Sequence, residues 1–245
     1  MAKRKNRSIK KEAIVLFSGG KDSFLSVCML IEQGFKVFMV NFKTIASIGD
    51  SNALSGAQRI IDRYGEDKVS LLGIFSIAGI LRELILPFLN IKQRDILENY
   101  GDITYSQFNC LACRSAMYAW TVLKAQEMGV HCVGDGARKI QGFVIELPIM
   151  IDAFSSFFRE FSIEFVCPVL NLESDWLLKN YLLARGFLSK TWESQCLLGA
   201  PLPGGKTPDE DVQKATLVCF EKLILPKCRQ LIRDKFPITA EESYL

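Results

Sequence analysis

Apolar and polar positions along the chain repeat with two periods. Ala13–Phe17 (Ala-Ile-Val-Leu-Phe) is an unbroken apolar run, which predicts a short buried strand. After a glycine turn, Asp22–Gln33 places Phe24, Val27, Cys28 and Ile31 at helical spacing and closes at Gly34. The alternation continues with a strand at Lys36–Phe42, a helix at Ser55–Tyr64 stopped by Gly65, and a strand at Lys68–Phe75. Ile77–Tyr100 predicts one or two helices interrupted at Pro87, Cys113–Met128 a helix ending at Gly129, and Val130–Gly134 a fourth strand. A fifth strand is expected at Glu164–Leu170 and a helix at Asp175–Arg185, closed by Gly186. Beyond a Pro/Gly loop at Gly199–Pro208, Asp209–Asp234 reads as a charged helix with a break at Pro226.

Strands that alternate with helices imply an α/β fold: a Rossmann-like, mainly parallel sheet of about five strands with helices on both faces. The C-terminal stretch adds a helical appendage. Parallel sheets bind ligands at the carboxyl ends of their strands. The residues to watch are therefore Ser18–Ser23, Asn41–Lys43, Ser76 and Asp135–Lys139.

Composition narrows the class. The 245 residues are 49% hydrophobic and 23% charged, which excludes wholesale disorder, and the formal charge of +3 neither demands nor excludes nucleic acid. The longest apolar stretches, such as Val69–Ile80, contain Gly and Ser and are too short to span a bilayer, so no membrane association is expected. The basic arm Met1–Lys11 is followed by no apolar segment and cleavage site, so it is not read as a secretory signal; it is a solvated tail or a clamp on RNA phosphates. A cytoplasmic location follows. In a reducing compartment eight cysteines point to metal binding or catalysis more than to disulfides. A single histidine, His131, argues against His-based triads and multi-His zinc sites.

Ser18-Gly19-Gly20-Lys21-Asp22-Ser23 stands between the first strand and the first helix. Its glycines let backbone approach a phosphate, and the helix N-terminus offers unpaired N–H groups and a positive dipole. Ser18 and Ser23 add hydroxyls, Lys21 a cation, and Asp22 caps the helix or holds Mg²⁺. A Walker loop needs Gly-Lys-Ser/Thr, whereas this chain has Gly-Lys-Asp; Gly134-Asp135-Gly136 falls short of the dinucleotide fingerprint at Lys139. Asp135 could hold Mg²⁺ or orient a substrate, and Arg138 or Lys139 could meet phosphate.

The segment SGGKDS resembles the SGGxDS signature of the PP-loop (N-type) ATP pyrophosphatases, the adenine-nucleotide α-hydrolase-like enzymes. The resemblance implies ATP with its β- and γ-phosphates in this loop, adenine near Asn41–Lys43, and adenylation of a substrate oxygen with release of pyrophosphate. It assigns residues 12–200 to the PP-loop domain and 201–245 to the C-terminal extension.

Cys110-Leu111-Ala112-Cys113-Arg114 is expected at the start of a helix, where thiolates have a depressed pKa that Arg114 would lower further. Cys196 is the third candidate. This arrangement resembles the tRNA 2-thiocytidine synthetase branch. By that resemblance Cys110, Cys113 and Cys196 hold a [4Fe-4S] cluster with an open iron for sulfide. The acceptor is then tRNA, and sulfur comes from a donor protein or sulfide. A cluster-free persulfide relay uses the same cysteines. Two other readings stay open: a deazaguanine-type nitrile-forming ligase with structural zinc, which Lys190–Cys196 resembles, and a non-catalytic nucleotide-binding module. Cys167 lies on an apolar strand, and Cys28, Cys132, Cys219 and Cys228 fall within elements and read as core. Phe154–Phe165 is partly helical in spacing and reads as core or a homodimer contact.

Overall fold

The computed structural model describes residues 11–44, 47–48, 52–188, 195–196 and 208–238. The basic arm up to Lys10, the stretch 189–194 and most of the Pro/Gly loop lie outside the described residues. In chain order the elements are β1 (Glu12–Leu16), α1 (Lys21–Glu32), β2 (Lys36–Lys43), β3 (Ser47–Ile48), α2 (Asn52–Tyr64), β4 (Val69–Ser76), α3 (Ala78–Leu89), α4 (Gln93–Tyr100) and α5 (Tyr105–Met128). They continue with β5 (Cys132–Gly134), α6 (Pro148–Arg159), β6 (Glu164–Val166), α7 (Asp175–Ala184), β7 (Gln195–Cys196), α8 (Glu210–Cys219) and α9 (Leu225–Arg233).

Five strands form one parallel sheet in the order β4-β2-β1-β5-β6. Alternation along β1 divides the interior. Ile14 and Leu16 face a core built with α3, α5, α6, α8 and α9, while Val15 and Phe17 face one built with α1, α2 and α7. Both faces of β1 are therefore dry, which is why its sequence is a continuous apolar run. The chain leaves β1 toward β2 on one side and returns to β5 on the other. This reversal opens a crevice at the carboxyl ends of β1 and β5. A separate two-residue antiparallel ribbon pairs β3 with β7, Ser47 opposite Cys196.

Several boundaries differ from the sequence reading. Pro87 does not divide α3; it sits in the last turn, where little helix remains to disrupt, and the break comes at Asn90–Lys92. β6 stops at Val166 because Pro168 has no N–H to donate and biases Cys167 before it. The helix α6 begins with Pro at its first position and buries Phe154, Phe157 and Phe158 in the core. Pro226 does not break the C-terminal helix either. One π-helical segment, Phe220–Ile224, bridges α8 and α9, with Leu225 N–H bonding to Phe220 O. Among the described residues no helix is long and apolar enough to cross a membrane.

Candidate active site

The phosphate-loop segment folds as its composition requires. Gly19 takes a positive φ of 80°, and Gly20 is the extended residue that precedes α1. Ser18 Oγ accepts from Gly20 N–H at 3.2 Å, and Ser23 Oγ donates to Gly20 O at 3.0 Å, so both serines brace the turn. The loop from β5 presses against this turn. A Cβ on Gly136 would lie 2.6 Å from Ser23 N, so only glycine fits there.

This turn forms one wall of a cavity of about 660 Å³, within the size range of small-molecule sites. Ser18, Gly20, Asp22 and Ser23 line it, and so do Cys110, Cys113 and Cys196. Asn41, Asp135 and Arg114 also border it. The three cysteines contributed by α5 and the β3–β7 ribbon thus face the same space as the loop. Gly19 and Lys21 do not border the cavity directly; Lys21 opens α1, beside Asp22. Asn41 spans the first two strands by donating Nδ2–H to Phe17 O at 2.8 Å. Its Oδ1 is buried and has no hydrogen-bond partner among the described residues.

The charged groups form two linked clusters. Arg114 donates through Nη1 to both oxygens of Asp135, at 2.9 and 2.6 Å, and Tyr118 Oη donates to Asp135 Oδ2 at 2.7 Å. Arg114 Nη2 also reaches Glu146 Oε1 at 3.4 Å. Nearer the loop, Arg138 Nε lies 2.7 Å from Asp22 Oδ1 and Arg138 Nη2 is 2.5 Å from Asp175 Oδ1. Gln141 Nε2 donates to Asp22 Oδ2 at 2.7 Å. Arg138 is therefore a buried cation, only 4% exposed, and not the solvated loop charge its sequence context suggests. Its hydrogen bond holds the Asp175 carboxyl below the usual range.

The thiols need a correction. The helix carrying them starts at Tyr105, so Cys110 and Cys113 sit in its second and third turns, beyond the free N–H groups of its first turn. Burial raises the pKa of Cys110, with Cys196 nearby adding to the effect, and pushes Cys113 up to about 12; Arg114 opposes both shifts without reversing them. They are not the depressed thiolates that a helix N-terminus would give. Among the described residues no group of three His, Cys, Asp or Glu side chains stands close enough to hold a metal ion. As placed, Cys110, Cys113 and Cys196 do not close a site for a cluster or zinc. For Mg²⁺ the donors are better matched. Asp22 borders the cavity beside the loop, although its oxygens are engaged by Arg138 and Gln141.

Glu146 is the residue that sequence reasoning missed. It lines the cavity, is 6% exposed, and has a pKa raised to about 7 by burial, against the opposing pull of Arg114. A lone acid inside Phe143-Val144-Ile145-Glu146-Leu147 was the available signal, because such a carboxylate has no cheap reason to be buried.

With this geometry in hand, comparison with solved structures is informative. A 4-thiouridine synthetase–RNA complex with bound ATP superposes with a TM-score of 0.61 at 16% identity, covering 92% of this chain and 53% of that one. At this level of identity the likeness is one of fold. The chain spans about half the length of that neighbour. An NMN synthetase from Francisella tularensis also aligns, with a TM-score of 0.47, 13% identity and coverage of 96% and 91%. A predicted subunit of a tRNA methyltransferase from Methanocaldococcus jannaschii gives a TM-score of 0.41 at 15% identity, with coverage of 76% and 96%. No protein-family profile matches the sequence, and no curated protein sequence does.

Proposed function

We propose that the chain is an AMP-forming, ATP-dependent transferase that adenylates a nucleobase carbonyl in tRNA and replaces the oxygen with sulfur carried on its cysteines. One observation carries this reading: a single cavity joins the Ser18–Ser23 turn to Cys110, Cys113 and Cys196. A ligase without sulfur chemistry has no use for three thiols beside its nucleotide.

In this reading Ser18, Gly19, Gly20, Lys21 and Ser23 hold the β- and γ-phosphates through backbone N–H groups, hydroxyls and the α1 dipole. Asn41 borders the adenine. Asp22 would hold the Mg²⁺ that accompanies the nucleotide, and the ion would neutralise phosphate charge. Asp135 clamps Arg114 next to Cys113 and keeps a cation beside the point where phosphate leaves. The acceptor oxygen attacks the α-phosphorus and pyrophosphate departs. A persulfide on one cysteine, handed over from a donor protein's persulfide or formed when sulfide splits a disulfide between two of the cysteines, attacks the activated carbon, and AMP departs. A second cysteine then attacks the sulfur–sulfur bond, leaves the sulfur on the base and closes a disulfide, which a thiol reductant reopens. The raised thiol pKa values mean that these cysteines are quiet until substrate binding alters their surroundings.

The test is a reaction with ATP, Mg²⁺, a small-molecule persulfide as sulfur donor, a thiol reductant and unmodified tRNA transcripts, run without oxygen on protein assayed for bound metal. The expected result is AMP and pyrophosphate in step with a thiolated nucleoside detected by mass spectrometry. Cys110→Ala and Cys113→Ala should keep AMP formation and lose the thionucleoside. Thiolation that survives both substitutions would exclude the sulfur assignment. Iron in stoichiometric amount would return the cluster to consideration.

A further inference from the structure

Glu146 and Asp135 are two buried carboxyls on the same arginine, and they are held in opposite ways. Asp135 receives three short bonds, two from Arg114 and one from Tyr118. Among the described residues Glu146 has only long ones, 3.4 Å from Arg114 Nη2 and 3.3 Å from Arg138 N–H. A carboxylate gripped as Asp135 is cannot move without breaking those bonds. One held as loosely as Glu146 can exchange a proton without dismantling the network. Glu146 also lines the cavity that the Ser18–Ser23 turn and the three cysteines share.

We propose that Glu146 is the general acid–base residue of this site and that the acceptor is a carbonyl flanked by N–H. The assignment rests on the transferase reading above. When such a carbonyl oxygen attacks the α-phosphorus, the new O–P bond forms and the bond to pyrophosphate breaks. The neighbouring nitrogen must then shed its proton to leave a neutral imidate. Glu146 accepts that proton and returns it to the same nitrogen once sulfur has replaced the adenylate. The thiol protons leave to solvent, so the carboxyl ends the cycle as it began. A carbonyl without an adjacent N–H would need no such base.

The surroundings tune the group to this task. Arg114 and Tyr118 face the Glu146 region from α5, Asp135 and the Arg138 backbone from the β5 loop, Asp22 from α1, and Cys167 from the loop after β6. Burial dominates and moves its titration to about 7, where a base for neutral-pH chemistry works best.

The experiment compares wild type, Glu146→Gln and Glu146→Asp by three measurements. Difference infrared spectroscopy against Glu146→Gln should reveal a protonated carboxyl that titrates near neutrality. ATP affinity should be unchanged in both variants. AMP formation, with water as acceptor and with unmodified tRNA, should rise with pH through the neutral range in wild type. In Glu146→Gln it should fall by roughly 100- to 10,000-fold and lose that limb. Glu146→Asp should regain part of the rate with a displaced limb. A wild-type profile in Glu146→Gln overturns the role of Glu146 and leaves the transferase reading intact. A fall in ATP affinity that matches the fall in rate makes the residue merely structural and also overturns it. AMP formed with neither acceptor, while the carboxyl still titrates, overturns the transferase reading and this assignment with it.

Discussion

At the residue scale, Gly136 determines whether the phosphate turn closes. An added Cβ would sit 2.6 Å from Ser23 N and 2.8 Å from Ser23 Cα, backbone atoms that cannot step aside. Two residues earlier, a Cβ on Gly134 would meet Leu30 Cδ1 at 2.9 Å and Val15 Cγ2 at 3.1 Å, which are side-chain and not backbone atoms. Gly136→Ala should therefore push the β5 loop off the start of α1. The expected cost is about 1–3 kcal/mol in chemical denaturation, together with a clear loss of ATP affinity by calorimetry. Gly134→Ala should cost less and spare ATP binding. Equal effects at both positions would contradict this distinction. The sequence displays both glycines, and their spacing resembles part of a dinucleotide fingerprint. The real reason for Gly136 could not be read there, because its partner Ser23 lies more than a hundred positions away. The same holds for Asp135, whose place after a strand was legible while its grip by Arg114 and Tyr118 was not. The SGGKDS turn was fully legible, since strand, glycines and helix are contiguous.

At the element scale, α5 carries Cys110, Cys113 and Arg114 to the cavity, so its starting point matters. Thr104 Oγ1 accepts from Gln107 N–H at 3.2 Å, and Gln107 Oε1 accepts from Thr104 N–H at 2.8 Å, a reciprocal capping box. Thr104→Ala should lower stability by about 1 kcal/mol. Because the cysteines lie more than a turn further on, ATP affinity should not move. A variant that loses ATP binding with its stability intact would show that the cap shapes the site directly. The sequence reading began this helix at Cys113, eight residues late. Phe108, Leu111, Ala112, Ser115, Tyr118 and Ala119 form one buried stripe at helical spacing, so the helix was legible as far back as Phe108. Only the Thr-x-x-Gln signature carried the boundary. The strands were easier to read: four of the five in the sheet are apolar runs bounded by glycine or charge, and β6 failed only where Pro168 cut it short.

At the scale of the whole molecule, the sheet and its two helical layers remove water from a cavity that holds a carboxyl, and stability must register this. The folded pKa of Glu146, about 7, stands above its ordinary 4.5 because burial disfavours the charged form. Below 4.5 both folded and unfolded chains hold the proton, and Glu146 contributes no pH dependence. Between 4.5 and 7 the unfolded chain releases it while the folded chain keeps it. The folded state then binds more protons, and stability from this group falls as pH rises. Above 7 the folded chain must bury the charge, and the loss is complete at roughly 3 kcal/mol, from about 1.4 kcal/mol per pH unit. Glutamine cannot ionise, and its Oε1 can still accept from Arg138 N–H. Urea denaturation should therefore give Glu146→Gln and wild type similar stability near pH 5, with the variant ahead by up to that amount near pH 8. The Asp175 and Glu32 carboxyls, held below their ordinary range by Arg138 and Arg185, titrate alike in both proteins and cancel in the difference. A difference that stays constant with pH would mean that water reaches Glu146. The fold would then not supply the dry, near-neutral acid that proton transfer at this site requires.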